Sequence, residues 1–595
     1  MYITISGKGS HRIVQLRDDR RVPGTDKRKA VIVKNYGNYE KLLAENPHII
    51  EELKEEAKRL TREKNAESAP ITLTVPTKEI TSAEDVTSSF RFGHALIQHL
   101  WRELKLEKFF ERYAGKRDPK ELVQSIFYLL ARRCTDPSSI YSCYQEQSQY
   151  AGHTEQTLDA LYGVLDILAE SKEDLIEFLS VFFQKKTKRK NGCAYYDVTT
   201  HSFESTKWGE LRMFGFSKSH KNNEVQVVMG LLIDNNGIPV TYELFPGNTM
   251  DQSTLTKSVE RLRELYRLEK ITVVADRGLN SGTNLGYLCS QDHNFVISYT
   301  LKRSTQEFKE LALNPEGWKV TSENEESGEV LTMEKVVEQT LEYKTEGLAL
   351  DAPEGAEEGV KKKRGRPKKY QHHTVPVKIH LTWSAKRASK DRGDRQRMLE
   401  KLMKKMDKPY QLKAAVKRGV NQFLEMELET ENWKISEEKI KESEKYDGYY
   451  AIITNNLELS TLEAVEIYRG LWRIEESFRI MKTDLQATPA FVWTDKHIEG
   501  HFALCFLALT TMRYLQYKIT DNTGAQVSAA NLMEALSGPT VITQGTYPNI
   551  TVTPININQT YLDISKILGM SALRQNMTLT QFRSATKLNL VKNLE

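Results

Sequence analysis

The stretches "CAYYDVTTHSF" (193–203) and "EVQVVMGLLIDNNGIPVTYELFPGN" (224–248) read as three strands, with "DNNG" (234–237) turning the second into the third. Past them, the spacing predicts a helix from Asp251 to Leu268, a buried strand in "KITVVADRG" (270–278), a helix near 281–290 and a further strand in "NFVISYTL" (294–301). Three strands, then helix, strand, helix, strand make an α/β sheet of mixed direction.

On the N-terminal side, 92–190 is helical, with segments such as "PKELVQSIFYLLARR" and "TLDALYGVLDILAESKEDLIEFLSVFF", and ends in the basic run "KKTKRK" (185–190). Short helices between basic residues suit a DNA-binding region; a plain helical bundle has the same pattern. Residues 1–75 form a small αβ module, with short strands in "RIVQLR" and "KAVIVKNYG" before a charged helix. The sheet pattern of 191–301 breaks off at 302–450, a β-rich insertion holding the acidic, then basic, low-complexity stretch "DAPEGAEEGVKKKRGRPKKY" and the basic helix "KRASKDRGDRQRMLEKLMKKM". It closes with the β-rich "YDGYYAIITNN". Residues 451–520 resume the core with a helix opened by the capping pattern Ser460-x-x-Glu463 and a second apolar helix over about 498–519. The C-terminal region, 521–595, carries few signals. The strand and helix order of 191–301 is compatible with an RNase H-like core, so the fold class is multidomain α/β: a mixed-sheet core split by a β-rich insertion and preceded by a helical region.

A chain of 595 residues exceeds what one core can organise, hence several domains. Its 85 basic and 80 acidic side chains nearly cancel, so net charge alone names no anionic partner and the distribution of charge matters more. The five cysteines contain no C-x-x-C pair, which fits a reduced cytoplasmic protein and offers no zinc signature. The opening "MYITISGKGS" lacks a secretory pattern, and the longest apolar run, "FALCFLALTTM" from Phe502, is too short to span a bilayer; a soluble intracellular protein is expected.

Acidic residues in apolar surroundings mark candidate chemistry. In "YRGLWRIEESFRIMK" (468–482), Ile467, Leu471, Ile474, Phe478, Met481 and Leu485 form one apolar stripe. At about 100° per residue, Glu476 lies about half a turn from its centre and points to solvent, whereas Glu475 lies about 80° off, on the rim of the buried face. Tyr468, Glu475 and Lys482, seven apart, line one flank with Arg479 beside them. A carboxylate among a phenol and two cations suits metal and phosphate together; a salt-bridged helix edge, Glu475 to Arg479, is the plainer alternative. Asp197 and Asp276 each interrupt an apolar strand, where a carboxylate is costly unless paired, hydrogen-bonded or metal-bound. Either could instead cap a turn.

"YYDVTT", "VVADRG" and Tyr468-x6-Glu475-x6-Lys482 resemble the three catalytic segments of bacterial insertion-sequence transposases of the DDE class. The closer similarity is to the group with a Y-x2-R-x3-E-x6-K signature and a β-rich insertion before the glutamate. "FPGNTMDQSTL", "DGYYAIITN", "WSAKRASKDRGDR" and "VIVKNYG" resemble that group too, and together these segments reach from the N-terminal module to about residue 515. The signature arginine falls at Leu471, so its phosphate contact is not carried over; Arg479 is a substitute by helical position. The resemblance implies that Asp197, Asp276 and Glu475 hold two Mg2+ ions, replaceable by Mn2+, with Asp197 bridging them, and that Tyr468 and Lys482 hold the DNA backbone. It further implies cleavage at transposon ends followed by strand transfer into target DNA, with terminal inverted repeats and target as partners and a homodimer in the paired-end complex.

DNA affinity needs Lys and Arg to release counterions. "KKTKRK" and "KKKRGRPKK" are the main concentrations; Arg364 and Arg366 in the latter resemble an AT-hook, against the alternative of a solvated charge run. His201 and Glu204, close after Asp197, are expected at the surface. Two other functions compete: an RNase H-like nuclease or resolvase without strand transfer, and a DNA-binding repressor with an inactive site.

Overall fold

The computed structural model describes residues 1–21, 28–66, 89–187, 189, 193–215, 223–250, 254–256, 258–260, 270–276, 282–346, 370–406, 422–427, 432–545, 550–588 and 590. The chain forms two compact units, Met1–Thr81 with Gly545–Tyr547, and the remainder. In the first unit β1 (Tyr2–Ser6), β2 (Ile13–Arg21) and β3 (Arg28–Asn38) pair antiparallel in that order. Val14 and Leu16 alternate inward along β2, and the helix Ile49–Ala66 buries Leu53 and Ala57. Asn38 ends β3 and caps the helix Tyr39–Glu45, its side chain accepting from the amides of Glu40 and Lys41.

The second unit begins with β4 (Ser89–Arg91) and six helices between Ala95 and Lys186. Then come β5 (Cys193–Ser202), β6 (Gln226–Ile233), β7 (Pro239–Pro246), β8 (Thr272–Ala275) and β9 (Asn294–Tyr299). The helix expected over 251–268 lies largely outside the described residues. Farther on are β10 (Lys319–Glu323), β11 (Val330–Glu346), β12 (Tyr370–Ser384), the helix Ala385–Met406, the small hairpin of β13 (Leu424–Glu427) and β14 (Asn432–Ile435), and β15 (Tyr449–Thr454). One sheet runs β10-β11-β12-β15-β9-β8-β5-β6-β7, with β5-β8 and β8-β9 parallel and the other pairs antiparallel. The sheet is mixed, as the strand pattern predicts. The long β11-β12 hairpin of the 302–450 stretch extends this same sheet, and "YYAIIT", the β-rich segment at its end, pairs with β9 and β12.

Strand alternation sends Tyr195, Leu231, Val274 and Val296 into one core, and Ala194, Tyr196, Val273 and Phe295 into another on the opposite face. The first core is shared with the helices of 95–186 and with a long helix, Asp495–Thr523, packed between them and the sheet. Being enclosed on both sides explains why "FALCFLALTTM" is apolar all round. At Gly500 a β-carbon would lie 2.1 Å from the Leu165 carbonyl oxygen, so the two helices approach at glycine distance. Among the described residues no helix is long and apolar enough to cross a membrane, and no disulfide links the cysteines. The C-terminal stretch builds β16 (Thr540–Gln544), β17 (Thr551–Ile555) and β18 (Met577–Thr578), a sheet completed by β4 in the order β18-β17-β16-β4.

His501 is buried in the long helix, its Nε2 donating to the Ala487 carbonyl at 2.9 Å. Burial, helped by the nearby charge of Arg133, holds its pKa down to about 3. As pH falls below the ordinary value near 6.5, the unfolded chain takes up this proton before the folded one does, so stability is full above about 6.5 and is lost toward pH 3. Urea unfolding at successive pH values should show a slope of about 1.4 kcal/mol per unit for this group below pH 6.5. His501→Gln should flatten it by that amount.

Candidate active site

β5 and β8 run parallel, with Tyr196 beside Ala275. One step beyond that pair come Asp197 and Asp276, on strands about 4.8 Å apart. The two-residue period puts both on the face of Tyr195 and Val274, where the helix bearing the two glutamates packs. Asp197 is half-buried, with Oδ1 accepting from the Val198 amide at 2.7 Å, and Asp276 is exposed where β8 runs out.

Ser460 and Glu463 form the expected capping box and open the helix Thr461–Arg469. The single continuous helix expected through residue 485 is interrupted at Gly470. A β-carbon there would lie 2.2 Å from the Tyr195 hydroxyl, so glycine lets the chain press onto β5 as it turns. The glutamate helix proper, Trp472–Arg479, follows and passes into a π-helical turn, Ile480–Asp484, with the Leu485 amide donating to the Ile480 carbonyl at 2.8 Å. Such single π turns are frequent at functional sites. Leu471, Ile474, Phe478, Met481 and Leu485 are buried, as the stripe predicts.

Tyr468 and Lys482 tie the two ends of this segment to the acidic strands. The Tyr468 hydroxyl donates to Asp276 Oδ1 at 3.4 Å, and Lys482 Nζ donates to Thr199 Oγ1 at 2.5 Å, two residues along β5 from Asp197 and on the same face. Burial first, then the neighbouring Tyr450 and Asp276, raise the Tyr468 pKa, so its phenol stays a neutral donor. Glu475 lies midway between these ties and is exposed.

Glu476 departs from expectation. It is only 19% exposed, and its Oε2 accepts from Arg513 Nη1 at 2.7 Å, because the long helix covers the flank that a helical wheel assigns to solvent. Arg479, 53% exposed, pairs with Glu476 (3.6 Å) and Asp484 (3.9 Å); among the described residues it makes no ion pair with Glu475. His201 is buried against Phe502, ring centroids 4.9 Å apart, and not at the surface; burial, then Lys482, drive its pKa well below the usual range. Glu204 is exposed as expected. In "KKTKRK", Lys185 and Lys186 are exposed, but Arg189 is buried and bonded to Asp234. Arg364 and Arg366 lie outside the described residues. Arg513 and Thr199 carried no sequence signal that set them apart from other helix and strand residues.

Among the described residues, no three His, Cys, Asp or Glu side chains are gathered tightly enough to hold a metal by themselves. What Asp197, Asp276 and Glu475 offer is hard oxygen donors on adjoining elements. Mg2+ keeps several of its waters and takes one or two protein carboxylates, so the Asp197–Asp276 pair suits it.

The profile of the transposase DDE domain matches residues 193–511, from the first residue of β5 into the long helix. The chain belongs to the transposase DDE domain family. Its DDE domain therefore encloses Asp197, Asp276 and Glu475 and the whole 302–450 stretch, and stops two residues short of Arg513. A solved piggyBac transposase synaptic complex with hairpin DNA is similar to this transposase chain at 8% identity over 75% of this chain and 77% of that one, with a TM-score of 0.33. No curated protein sequence matches it.

Proposed function

We propose that this chain is a metal-dependent transposase of the bacterial insertion-sequence type, which cuts DNA at transposon ends and joins the freed 3′-hydroxyl to target DNA. The observation that carries the reading is the bracketing of Glu475: Tyr468 reaches Asp276 and Lys482 reaches Thr199, two residues from Asp197, so the segment 468–482, broken at Gly470, is fastened at both ends to the two acidic strands. The order β7-β6-β5-β8-β9, with β5-β8-β9 parallel, supports an RNase H-like core. Asp197, Asp276 and Glu475 would hold the cofactor. Two Mg2+ ions, or Mn2+ in their place, would supply stabilisation of charge on the entering and leaving oxygens of an in-line displacement. Lys482 and the neutral Tyr468 phenol hold the phosphate backbone beside the scissile bond, and Arg479, with its exposed guanidinium, adds charge on the same side. The helices of 92–190 recognise the terminal inverted repeats, Arg364 and Arg366 enter an A·T minor groove, and a homodimer pairs two ends.

A labelled duplex carrying the element's end tests this. With Mg2+ or Mn2+ the protein should nick the end and join it to target, and a chelator should stop both steps while the DNA stays bound. Cutting without joining would leave a nuclease, and binding without cutting under either metal would leave a repressor.

A further inference from the structure

The long helix Asp495–Thr523 sends one charged side chain into the glutamate helix. Arg513 is 7% exposed, and all five of its N–H donors find acceptors. Nη1 donates to Glu476 Oε2 (2.7 Å) and Gln516 Oε1 (3.0 Å), Nη2 to the Arg473 carbonyl (2.5 Å) and Ser477 Oγ (2.8 Å), and Nε to Ser477 Oγ (3.1 Å). Ser477 in turn donates to the Arg473 carbonyl at 2.8 Å. A buried arginine is costly, and an apolar side chain of similar volume often serves stability as well or better. What the guanidinium supplies that an apolar residue cannot is directional grip on one peptide carbonyl and two side chains within a single helical turn.

We infer that Arg513 is a positioning residue for the site: by holding Arg473, Glu476 and Ser477 it sets the rotation of the glutamate helix at which Glu475 faces Asp197 and Asp276. The inference rests on the reading of Glu475 as a metal ligand. Adjacent helical residues diverge by about 100°, so fixing Glu476 against Arg513 fixes Glu475 on the neighbouring, exposed flank. The apolar stripe alone sets which face is buried but tolerates small rotations and slides. A metal-holding carboxylate must be held to within about 0.5 Å and 10–20°. The two glutamates thus divide the work, one gripping the scaffold and one serving the reaction.

The test compares wild type with Arg513→Lys, Arg513→Gln and Ser477→Ala on the labelled end, with folded fraction and end binding measured in parallel. Arg513→Lys keeps the charge but loses the fork. It should slow cleavage about 10- to 100-fold, the cost of a misplacement near 1 Å. It should also raise the Mg2+ concentration for half-maximal cutting and weaken Mn2+ binding, read by EPR without turnover, with end binding within about twofold of wild type. Ser477→Ala, which keeps the guanidinium, should shift the metal requirement the same way by less, and it carries the test should the Arg513 variants not fold. Loss of folded protein lowers activity equally at all metal concentrations, so a purely structural role would not move the metal requirement. A wild type that cuts, with variants that keep its metal dependence and Mn2+ affinity, overturns the clamp alone. A wild type that cuts with neither metal overturns the clamp together with the reading beneath it.

Discussion

Glu475→Gln is expected to abolish both end cleavage and strand joining, by about 10³-fold or more, while Glu476→Gln cuts within about tenfold of wild type. The first figure follows from losing one anionic ligand where several kcal/mol of transition-state charge stabilisation is at stake, each 1.4 kcal/mol being about tenfold in rate. Glu475 has nothing else to do: it is exposed and, among the described residues, its carboxylate has no hydrogen-bonding or ion-pairing partner, so the substitution should leave melting unchanged. Glu476→Gln keeps an oxygen for Arg513 Nη1 and loses the charge, which weakens the grip without releasing it. Single-turnover cleavage with Mg2+ separates the two. A dead Glu476→Gln beside an active Glu475→Gln would mean that the half-buried glutamate is the ligand, and the assignment would fall.

Much of the site is legible in the sequence because each part has a local signature. Asp197 and Asp276 stand out as acids in apolar strands, Ser460 and Glu463 announce the helix, and the seven-residue spacing puts Tyr468 and Lys482 on the flank of Glu475, where they meet Asp276 and Thr199. What was illegible depends on partners distant in the chain. A helical wheel drawn from the stripe of 467–485 contains nothing about Arg513, so it assigns Glu476 to water. His201 looked like a surface residue because Phe502, its cover, arrives 301 residues later. The break at Gly470 is not marked by the stripe, which runs through it; what the sequence hides is the close approach to the Tyr195 hydroxyl, 2.2 Å from where a β-carbon would sit. The C-terminal sheet stayed hidden because β4 pairs with β16, some 450 residues away.

Asp234→Ala is expected to destabilise the second unit by about 3–5 kcal/mol, because it removes one partner of a buried ion pair. The two side chains are 0% and 1% exposed, joined Nε to Oδ2 at 2.8 Å. Asp234 also shapes the "DNNG" turn, its Oδ1 accepting from the amides of Asn236 and Ile238, both at 2.9 Å, while Gly237 takes the left-handed φ of +82° that the turn needs. Asp234→Asn, which keeps an acceptor for those amides, should cost less than alanine. Asp234→Ala with Arg189→Met should recover part of the loss, since replacing both partners removes the buried charges together. Urea unfolding at pH 7 measures all three; a loss below about 1 kcal/mol for Asp234→Ala would show that the pair adds little to stability. Arg189 precedes β5 and Asp234 follows β6, where the first β5-β6 partners are Tyr195 and Ile233; two pairs further along the same ladder Asp197 faces Leu231. A one-residue slip of β5 would turn Asp197 to the opposite face of the sheet, away from Glu475. If the ion pair helps hold this register, Asp234→Ala should lower cleavage beyond the loss of folded protein, because the proposed site needs Asp197 on the face of the glutamate helix.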